Sequence, residues 1–182
     1  MKILLFGVSN VGKSTTGRLL AEKIGYHFYD LDDEIKRYMG MTLEEFVHTG
    51  NLRWRDEKRG TVIKKLIKKK ENMVISVTPI SYTESFKTEI RDADDLLMIE
   101  LYDTPENIFD RLVFSDENDH IYKDDEYKNK RRDYYLEDIQ EDLKWYGRVN
   151  ADLGVENRVF IDNDPPKRVV DRIIAEFGLK EL

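Results

Sequence analysis

The residues best suited to chemistry lie near the amino terminus, in a glycine-rich loop that follows a short apolar run. Residues 7–15 read Gly-Val-Ser-Asn-Val-Gly-Lys-Ser-Thr, which matches the spacing G-x-x-x-x-G-K-[ST]. Gly7 and Gly12 allow a tight turn whose backbone N–H groups point inward and bind an anion. Lys13 adds an ammonium group for the β- and γ-phosphates, and Ser14 adds a hydroxyl for Mg²⁺. The pattern therefore predicts a site for a nucleoside triphosphate.

The loop lies between an apolar run and a helix-like segment, which is the context that a phosphate-binding loop requires. Its backbone and the start of that segment supply the predicted nucleotide-binding residues, which are Gly7, Asn10, Val11, Gly12, Lys13, Ser14 and Thr15. A glycine turn without a ligand is the alternative, and the correctly placed Lys-Ser pair argues against it. A GTPase is not favoured, because residues 129–133, Asn-Lys-Arg-Arg-Asp, have one residue too many for the base-reading motif Asn-Lys-x-Asp.

A second group of candidates follows the next apolar run, which ends Tyr-Asp-Leu-Asp-Asp at residues 29–33. In an extended segment Asp30 and Asp32 face the same side, at a strand end where open α/β sheets bind ligands. One carboxylate could organise Mg²⁺ through water, and the other could accept the proton of an attacking hydroxyl. The alternative is that Asp32 or Asp33 caps the next helix. We favour the catalytic interpretation because the phosphate loop is already present.

Apolar runs of strand length alternate with longer amphipathic segments along the whole chain. The strand-like runs are Ile3–Phe6, His27–Asp30, Met73–Val77, Asp95–Leu101 and Arg158–Ile161. The helix-like segments are Lys13–Ile24, Asp33–Met39, Thr42–His48, Leu52–Lys69, Thr83–Arg91, Pro105–Leu112, Arg132–Leu153 and Pro166–Phe177. Such alternation predicts βαβ units and a parallel sheet covered on both faces. We therefore expect an α/β fold with one domain over residues 1–182.

Composition narrows the class of protein further. The 182 residues include 30 Lys and Arg against 37 Asp and Glu, a net charge of −7, and no cysteine. An acidic chain argues against a general nucleic-acid binder, and the lack of cysteine excludes disulfides and thiolate metal sites. No apolar stretch approaches the ~20 residues of a membrane span. We expect a cytoplasmic monomer that binds neither nucleic acid nor membrane.

One segment, residues 113–132, interrupts the alternation, because it is acidic and has little apolar periodicity. We expect a mobile, exposed excursion, which is either a solvated loop or a lid over the active site. A lid gains catalytic value when it brings a cation over the γ-phosphate. Of the cations in this segment, which are Lys123, Lys128, Lys130, Arg131 and Arg132, we favour Arg131 or Arg132 for that task.

The chain resembles the shikimate kinase family of small P-loop kinases, from Leu4 to about Lys65 and more weakly near the carboxyl terminus. Beyond the phosphate loop, the resemblance rests on Gly17-Arg18-Leu19-Leu20-Ala21, Gly25-Tyr26-His27-Phe28-Tyr29-Asp30-Leu31-Asp32, Ile35, Gly40, Gly50 and Trp54-Arg55. It implies a P-loop three-layer sandwich, with a five-stranded parallel sheet in the order 2-3-1-4-5 flanked by helices and a lid.

The resemblance also implies an activity and roles for single residues. Asp30 would help to hold Mg²⁺, while Asp32 would bind the acceptor hydroxyls and act as the base. Arg55 would pair with the acceptor carboxylate through its planar fork, and Arg111 would pack against adenine. The implied reaction is the ATP-dependent phosphorylation of a hydroxyl on a small carboxylated polyol. Shikimate is the first candidate, in aromatic amino-acid biosynthesis.

The acceptor half of the chain departs from the family pattern at several places. A Gly-Gly-Gly turn of the family is replaced by Val77-Thr78-Pro79, and its lid arginine by the stretch Asn118-Asp119-His120-Ile121. The family also has a later substrate-binding arginine, and the matching position in this chain is Asp142. Arg59 is interpreted separately, as a surface charge. These departures keep two alternatives open: a kinase for another small acceptor, such as a sugar acid or a nucleotide, and a nucleotide-binding regulatory protein without efficient kinase activity.

Overall fold

The computed structural model describes residues 1–90, 93 and 95–182. Its central sheet has five parallel strands in the order β2-β3-β1-β4-β7, namely β1 (Lys2–Phe6), β2 (His27–Asp30), β3 (Met73–Ser76), β4 (Leu96–Tyr102) and β7 (Asn157–Phe160). This confirms the predicted α/β class. Two short antiparallel strands of the lid, β5 (Phe114–Ser115) and β6 (Ile121–Tyr122), were not predicted. Because these two strands come before it in the chain, the last strand of the central sheet is numbered β7, and it occupies the fifth position in the sheet.

The helices cover both faces of the sheet. They are α1 (Lys13–Ile24), α2 (Leu31–Met39), α3 (Leu43–Val47), α4 (Leu52–Ile67), α5 (Glu84–Ile90), α6 (Pro105–Asp110), α7 (Asp125–Lys130), α8 (Arg132–Asp152) and α9 (Pro166–Phe177). All the predicted helical segments are present, and the predicted end of α5 at Arg91 lies outside the described residues. Only α7, inside the lid, was unexpected.

The core lies in two layers, one on each side of the sheet. Leu20 of α1, Phe109 of α6 and Val169 of α9 belong to one layer. Ile35 of α2 and Ile63 of α4 belong to the other. Because both faces are covered, the central strands carry apolar side chains in both directions rather than alternating with polar ones. Because β1, β2 and β3 are adjacent and parallel, their carboxyl ends lie side by side at one edge of the sheet.

The lid, defined here as residues 113–132, consists of the β5–β6 hairpin and α7. Its tip is docked, because Asp119 Oδ2 accepts a hydrogen bond from the Leu43 backbone N–H at 2.9 Å. The same oxygen lies 3.8 Å from Lys36 Nζ. The excursion that the sequence predicts is therefore attached to α2 and α3. Within the described ranges, no helix combines the length and the apolar character that crossing a bilayer requires.

Candidate active site

The phosphate loop leaves the carboxyl end of β1 and enters α1 with the backbone that its glycines permit. Gly7 has φ 137°, and a Cβ there would lie 2.4 Å from the carbonyl oxygen of Leu101. Gly12 has φ 110° and Asn10 has φ 60°, so both also occupy the left-handed side of φ. Because α1 begins without a side-chain cap, its first N–H groups are free to bind phosphate oxygens.

Lys13 is buried at the start of α1, and its ammonium group is held by the loop. Nζ donates hydrogen bonds to the carbonyl oxygens of Gly7 at 2.9 Å and Val8 at 2.8 Å. Burial lowers the pKa of Lys13 to about 8, although the negative charges of Asp32 and Asp30 act in the opposite direction. The buried ammonium group of Lys13 would therefore be stabilised further by negatively charged phosphates bound beside it.

Hydroxyl and carboxylate oxygens meet beside Lys13. Ser14 Oγ donates to Asp30 Oδ2 at 2.5 Å, and it lies 3.2 Å from Ser76 Oγ. Asp30 and Ser76 are register partners at the ends of β2 and β3. Such oxygens are the ligands that Mg²⁺ prefers, so this donor set fits the ion. The sequence prediction missed Ser76, and the available signal was a polar residue ending an otherwise apolar strand.

Among the described residues, no group of three or more His, Cys, Asp and Glu side chains converges as a metal cage. In phosphate-transferring sites Mg²⁺ takes one or two protein ligands, substrate phosphates and several waters. Ser14 and Asp30 are the side chains predicted for that task.

Asp30 and Asp32 do not both project from an extended strand, as the sequence prediction assumed. Asp30 ends β2 and caps α2, with its Oδ1 accepting the Asp32 N–H at 3.0 Å, whereas Asp32 lies in the first turn of that helix. The helix cap predicted for Asp32 or Asp33 thus falls on Asp30. Both carboxylates nevertheless line one cavity, because the tight turn from strand to helix keeps them adjacent.

The carboxylate of Asp32 is held by a residue from the loop that follows β3. Oδ1 accepts a hydrogen bond from Thr78 Oγ1 at 2.6 Å. Burial raises the pKa of Asp32 above its usual value, and the Thr78 hydrogen bond opposes this shift. Asp30 adds to the increase, while Arg59 and Lys13 act against it. Asp32 therefore has the surroundings of a carboxylate that takes part in proton transfer.

Two cavities meet at the start of α1, with Asn10, Lys13 and Ser14 lining both. The first, of about 510 Å³, also contains Asp32 and Thr78 and is closed on one side by the lid. The second, of about 520 Å³, extends along the loop. We call the first the acceptor cavity and the second the nucleotide cavity. Because the two cavities share this wall, a group bound at Lys13 would be accessible from both of them.

Arg111 lines the nucleotide cavity together with the phosphate loop. Its Nη2 donates to Asp103 Oδ2 at 2.5 Å, so the guanidinium plane is fixed by a fully buried carboxylate. Asn107 Nδ2 donates to the other oxygen of Asp103 at 2.7 Å. Its packing against adenine stays a prediction, and the structure places Arg111 in the lining of the cavity beside the phosphate loop. Asp103, which orients it, was missed, although an acid directly after an apolar strand was a visible signal.

Arg55 is not brought to the acceptor cavity in this structure. Its Nη1 donates to the carbonyl oxygen of Gly50 at 3.0 Å, and the described lining of the acceptor cavity does not include it. Asp142, at the position of the later family arginine, is half-buried with its pKa raised by burial and by the nearby acids Asp138 and Glu141. This position therefore carries an acid in place of the expected arginine, with Lys144 and Arg148 nearby.

The interpretation of Arg59 as a surface charge was wrong. Its side chain is only 7% exposed and pairs with the fully buried side chain of Asp56 at 2.8 Å. Its guanidinium also lies 5.3 Å from the centre of the Phe46 ring. A charged side chain is tolerated here because a buried partner neutralises it. That partner, on the same helix, was overlooked.

The lid cations occupy positions different from those favoured by the sequence. The guanidinium of Arg131 lies over the Tyr127 ring and that of Arg132 over the Phe109 ring. In the described linings neither reaches a cavity at the phosphate loop, whereas Lys123 lines the nucleotide cavity. Lys128 is buried and donates to the Asp110 carbonyl at 3.3 Å. Stacking on aromatic rings thus turns both arginines away from the loop.

A parallel sheet of this order, a glycine loop entering a helix, and aspartates beside the loop's lysine and serine define a P-loop small-molecule kinase. A family model for shikimate kinase matches residues 9–176. The chain belongs to the shikimate kinase family.

Individual relatives agree with this assignment. A shikimate kinase from Persephonella marina is 29% identical over 95% of this chain and 96% of its own. The solved shikimate kinase of Bacteroides thetaiotaomicron is 21% identical, covers 98% of this chain and 99% of its own, and has a TM-score of 0.74. Shikimate kinase from Acinetobacter baumannii, solved in complex with shikimate, is 21% identical over 98% and 95% of the two chains, with a TM-score of 0.72. At these identities the solved structures establish the common fold.

Proposed function

We propose that this protein transfers the γ-phosphate of ATP to a hydroxyl of a small carboxylated polyol, with shikimate as the first candidate acceptor. The observation that carries the proposal is the meeting of two cavities at Lys13 and Ser14, with Asp32 on the acceptor side. This geometry allows the terminal phosphate and a hydroxyl to face each other, as in-line transfer requires. The family membership and the shikimate complex of a relative support the choice of acceptor.

The nucleotide side is formed by the phosphate loop, Arg111 and the lid. The triphosphate lies on the loop backbone and the first N–H groups of α1, with Lys13 turning from the loop carbonyls to the phosphates. Arg111, held flat by Asp103, packs against adenine. Lys123 approaches from the lid and takes the task of the lid cation, since it already lines this cavity.

Ser14 and Asp30 would hold Mg²⁺, with Ser76 beside the Ser14 hydroxyl. When bound, the ion would supply positive charge that offsets the charge of the phosphates. The short hydrogen bond between Ser14 and Asp30 supports this assignment, because it already brings two oxygen ligands together.

Asp32 is the base of the reaction. As the acceptor oxygen forms its bond to the γ-phosphorus, the proton of that hydroxyl passes to the Asp32 carboxylate. The bond from the γ-phosphorus to the bridging oxygen breaks, and ADP leaves with that electron pair. Lys13 stabilises the charge on the phosphates during transfer. Closure of the lid excludes water and so limits hydrolysis of ATP.

Arg55 binds the carboxylate of the acceptor after its guanidinium leaves the Gly50 carbonyl. The side chain is partly exposed and its present partner is a neutral backbone oxygen. A carboxylate offers a stronger, charge-assisted and bidentate partner. Binding of the acceptor therefore supplies the free energy that turns the side chain.

A second acceptor class is favoured by one observation, the presence of Thr78 and Pro79 in the lining of the acceptor cavity. Their side chains occupy the place of a bare glycine turn in the family. The lid also presents Asp119 to this cavity. An acceptor of different shape, such as a sugar acid, is the second candidate.

A coupled assay of ADP release over a panel of acceptors tests the proposal. We expect turnover that depends on shikimate or, for the second candidate, on a sugar acid. Asp32→Asn should abolish this turnover while leaving the affinity for ATP nearly unchanged, because Asp32 does not touch the nucleotide. Nucleotide binding without any acceptor-dependent turnover would identify a regulatory protein and overturn the proposal.

The proposed enzyme is a single kinase domain over residues 1–182, with residues 113–132 as its lid. We propose that it acts as a monomer on small molecules rather than on nucleic acid or membrane, and the net charge of −7 argues against nucleic acid. We place it in the cytoplasm, where ATP is available.

A further inference from the structure

We propose that Thr78 is the positioning residue for Asp32: its hydroxyl holds one carboxylate oxygen and thereby presents the other to the acceptor. The inference rests on the proposed function, in which Asp32 takes the proton of the acceptor hydroxyl. It assigns a role to a side chain that stands where the family pattern has glycine. A glycine at this position would have no hydroxyl to donate to Asp32.

The contact between the two residues is direct and short. Thr78 Oγ1 donates to Asp32 Oδ1 at 2.6 Å, and both residues line the acceptor cavity. A hydroxyl bound to a carboxylate at this distance makes a charge-assisted hydrogen bond, which is stronger than one between neutral groups. Within the described residues no hydrogen bond reaches Oδ2 of Asp32. The acceptor hydroxyl therefore finds one carboxylate oxygen occupied and the other available.

The backbone on both sides of Thr78 is fixed, so its hydroxyl has a defined position. On one side the Val77 N–H donates to the Leu5 carbonyl at 2.9 Å, which extends the pairing of β3 with β1. On the other side Asp56 Oδ2 accepts the N–H groups of Ser81 at 3.0 Å and Tyr82 at 2.9 Å.

The side chain of Asp56 is itself fully buried and is held by Arg59. Asp56 therefore acts as a rigid anchor rather than as a mobile surface acid. Pro79 further restricts the backbone immediately after Thr78, because its ring fixes φ. The branched side chain of threonine also has restricted χ1 rotation.

Positioning matters because proton transfer and phosphoryl transfer require aligned atoms. Without the hydroxyl, the Asp32 carboxylate can rotate about its Cβ–Cγ bond and lose its alignment with the acceptor hydroxyl. Misplacement of a reacting group by about 1 Å can cost 100-fold in rate. We therefore expect loss of the Thr78 hydroxyl to lower kcat by about 10- to 100-fold. The KM for ATP should stay unchanged, because Thr78 does not line the nucleotide cavity.

The test compares Thr78→Val, which keeps the shape but removes the hydroxyl, with Thr78→Ser, which keeps the hydroxyl. Ser81→Ala is the matched control, since it removes a hydroxyl from the same loop outside the described lining of the acceptor cavity. Steady-state kcat and KM are measured with ATP and the acceptor identified by the panel. Thr78→Val should lose kcat, whereas Thr78→Ser and Ser81→Ala should retain it.

A double-mutant cycle separates positioning of Asp32 from a general effect on the fold. If Thr78 acts through Asp32, adding Thr78→Val to Asp32→Glu, which keeps a carboxylate and a residual rate but displaces the carboxylate from the Thr78 hydroxyl, should cause no further loss in single-turnover rate. Thr78→Ala provides the same comparison if the valine variant does not fold, as judged by circular dichroism. An additional loss in the double variant would overturn the inference.

The outcomes distinguish this inference from the proposed function. No acceptor-dependent turnover in the unsubstituted protein would overturn the proposed function, and this inference with it. Normal turnover that Thr78→Val leaves unchanged would overturn the inference alone. A loss of activity in Thr78→Ser as large as that in Thr78→Val would also overturn the inference alone, because the serine keeps the hydroxyl.

Discussion

Asp103 and Arg111 form an ion pair of 2.5 Å in which the carboxylate is fully buried and the guanidinium is 28% exposed. The carboxylate also accepts hydrogen bonds from the Thr104 N–H at 2.8 Å and the Asn163 N–H at 3.3 Å. It therefore joins three parts of the chain: the end of β4, the first turn of α6 and the turn after β7. The exposed part of Arg111 faces the nucleotide cavity.

Asp103→Asn should destabilise the fold and weaken ATP binding together. Removing one charge of a buried, hydrogen-bonded pair leaves the other without its counter-charge, and we expect a loss of about 2–4 kcal/mol in the free energy of unfolding. The KM for ATP should rise because the carboxylate of Asp103 no longer fixes the orientation of the Arg111 guanidinium. Urea unfolding and steady-state kinetics measure the two effects. Glu106→Gln, an exposed change in the first turn of the neighbouring helix α6, is the control, and equal stability of the two variants would contradict this prediction.

The stability of the protein should also depend on pH through Asp103. Burial acts to raise the pKa of this carboxyl, but hydrogen bonds from Arg111, Asn107 and backbone N–H groups outweigh it, so the pKa lies below its usual value. The stabilisation is therefore complete above the unfolded pKa of about 3.9 and is lost as the pH falls through the lower folded value. Urea midpoints measured from pH 7 downward should fall less steeply for Asp103→Asn. If the urea midpoints of the unsubstituted protein and Asp103→Asn fall equally with pH, Asp103 is not the origin of the acid sensitivity.

Binding of ATP should be accompanied by proton uptake at mildly alkaline pH. The pKa of Lys13 in the free site is about 8 because the side chain is buried, so above that pH a growing fraction is neutral. The triphosphate favours the charged form and raises this pKa. Affinity should therefore decline as the pH rises beyond 8. Calorimetry in buffers of different ionisation enthalpy measures the uptake. Lys13→Arg should remove it, because arginine does not titrate in this range.

Arg55→Ala should raise the KM for a carboxylated acceptor by about 10-fold or more while leaving the KM for ATP unchanged, because only the carboxylate loses its partner. Arg53→Ala is the matched control, since the Arg53 guanidinium lies over the Tyr82 ring instead. Initial-rate kinetics with each substrate varied in turn distinguish the two variants. An unaltered acceptor KM in Arg55→Ala would show that the guanidinium stays with Gly50 during the reaction.

Lys123→Met should lower kcat by about 10-fold, because the lid then closes without a cation over the phosphates. Lys130→Met serves as the comparison, since Lys130 pairs with Glu126 at 2.6 Å and is not part of the described cavity linings. Single-turnover transfer from radiolabelled ATP measures the step directly. Equal rates for the two variants would remove Lys123 from the transfer step.

The nucleotide half of the site was readable from the sequence because its determinants are contiguous. Residues 7–15 carry both the glycines that shape the loop and the side chains predicted to bind the phosphates. The strand ends were also predictable, since buried parallel strands appear as short apolar runs. These features depend on local spacing and burial, which a single sequence records.

The acceptor half was less readable because it depends on contacts between distant segments. The hydrogen bond from Thr78 to Asp32 joins the loop after β3 to the first turn of α2 across forty-six positions. The burial of Arg59 needs Asp56 on its own helix and Phe46 from α3. The lid strands were hidden because each has two residues and lies in an acidic stretch without alternation. Local propensity does not report such tertiary contacts.

The anchoring of Ser81 and Tyr82 by Asp56 makes α4 and the loop after β3 one mechanical unit. That unit carries Arg55 and Thr78, whereas the predicted triphosphate site is formed by a different segment, at the end of β1 and the start of α1. We expect substitutions within the unit to change which alcohol is selected while the sequence of the glycine loop stays the same, although Thr78 and that loop line one cavity. A few exchanges outside the glycine loop should therefore give this scaffold new specificities.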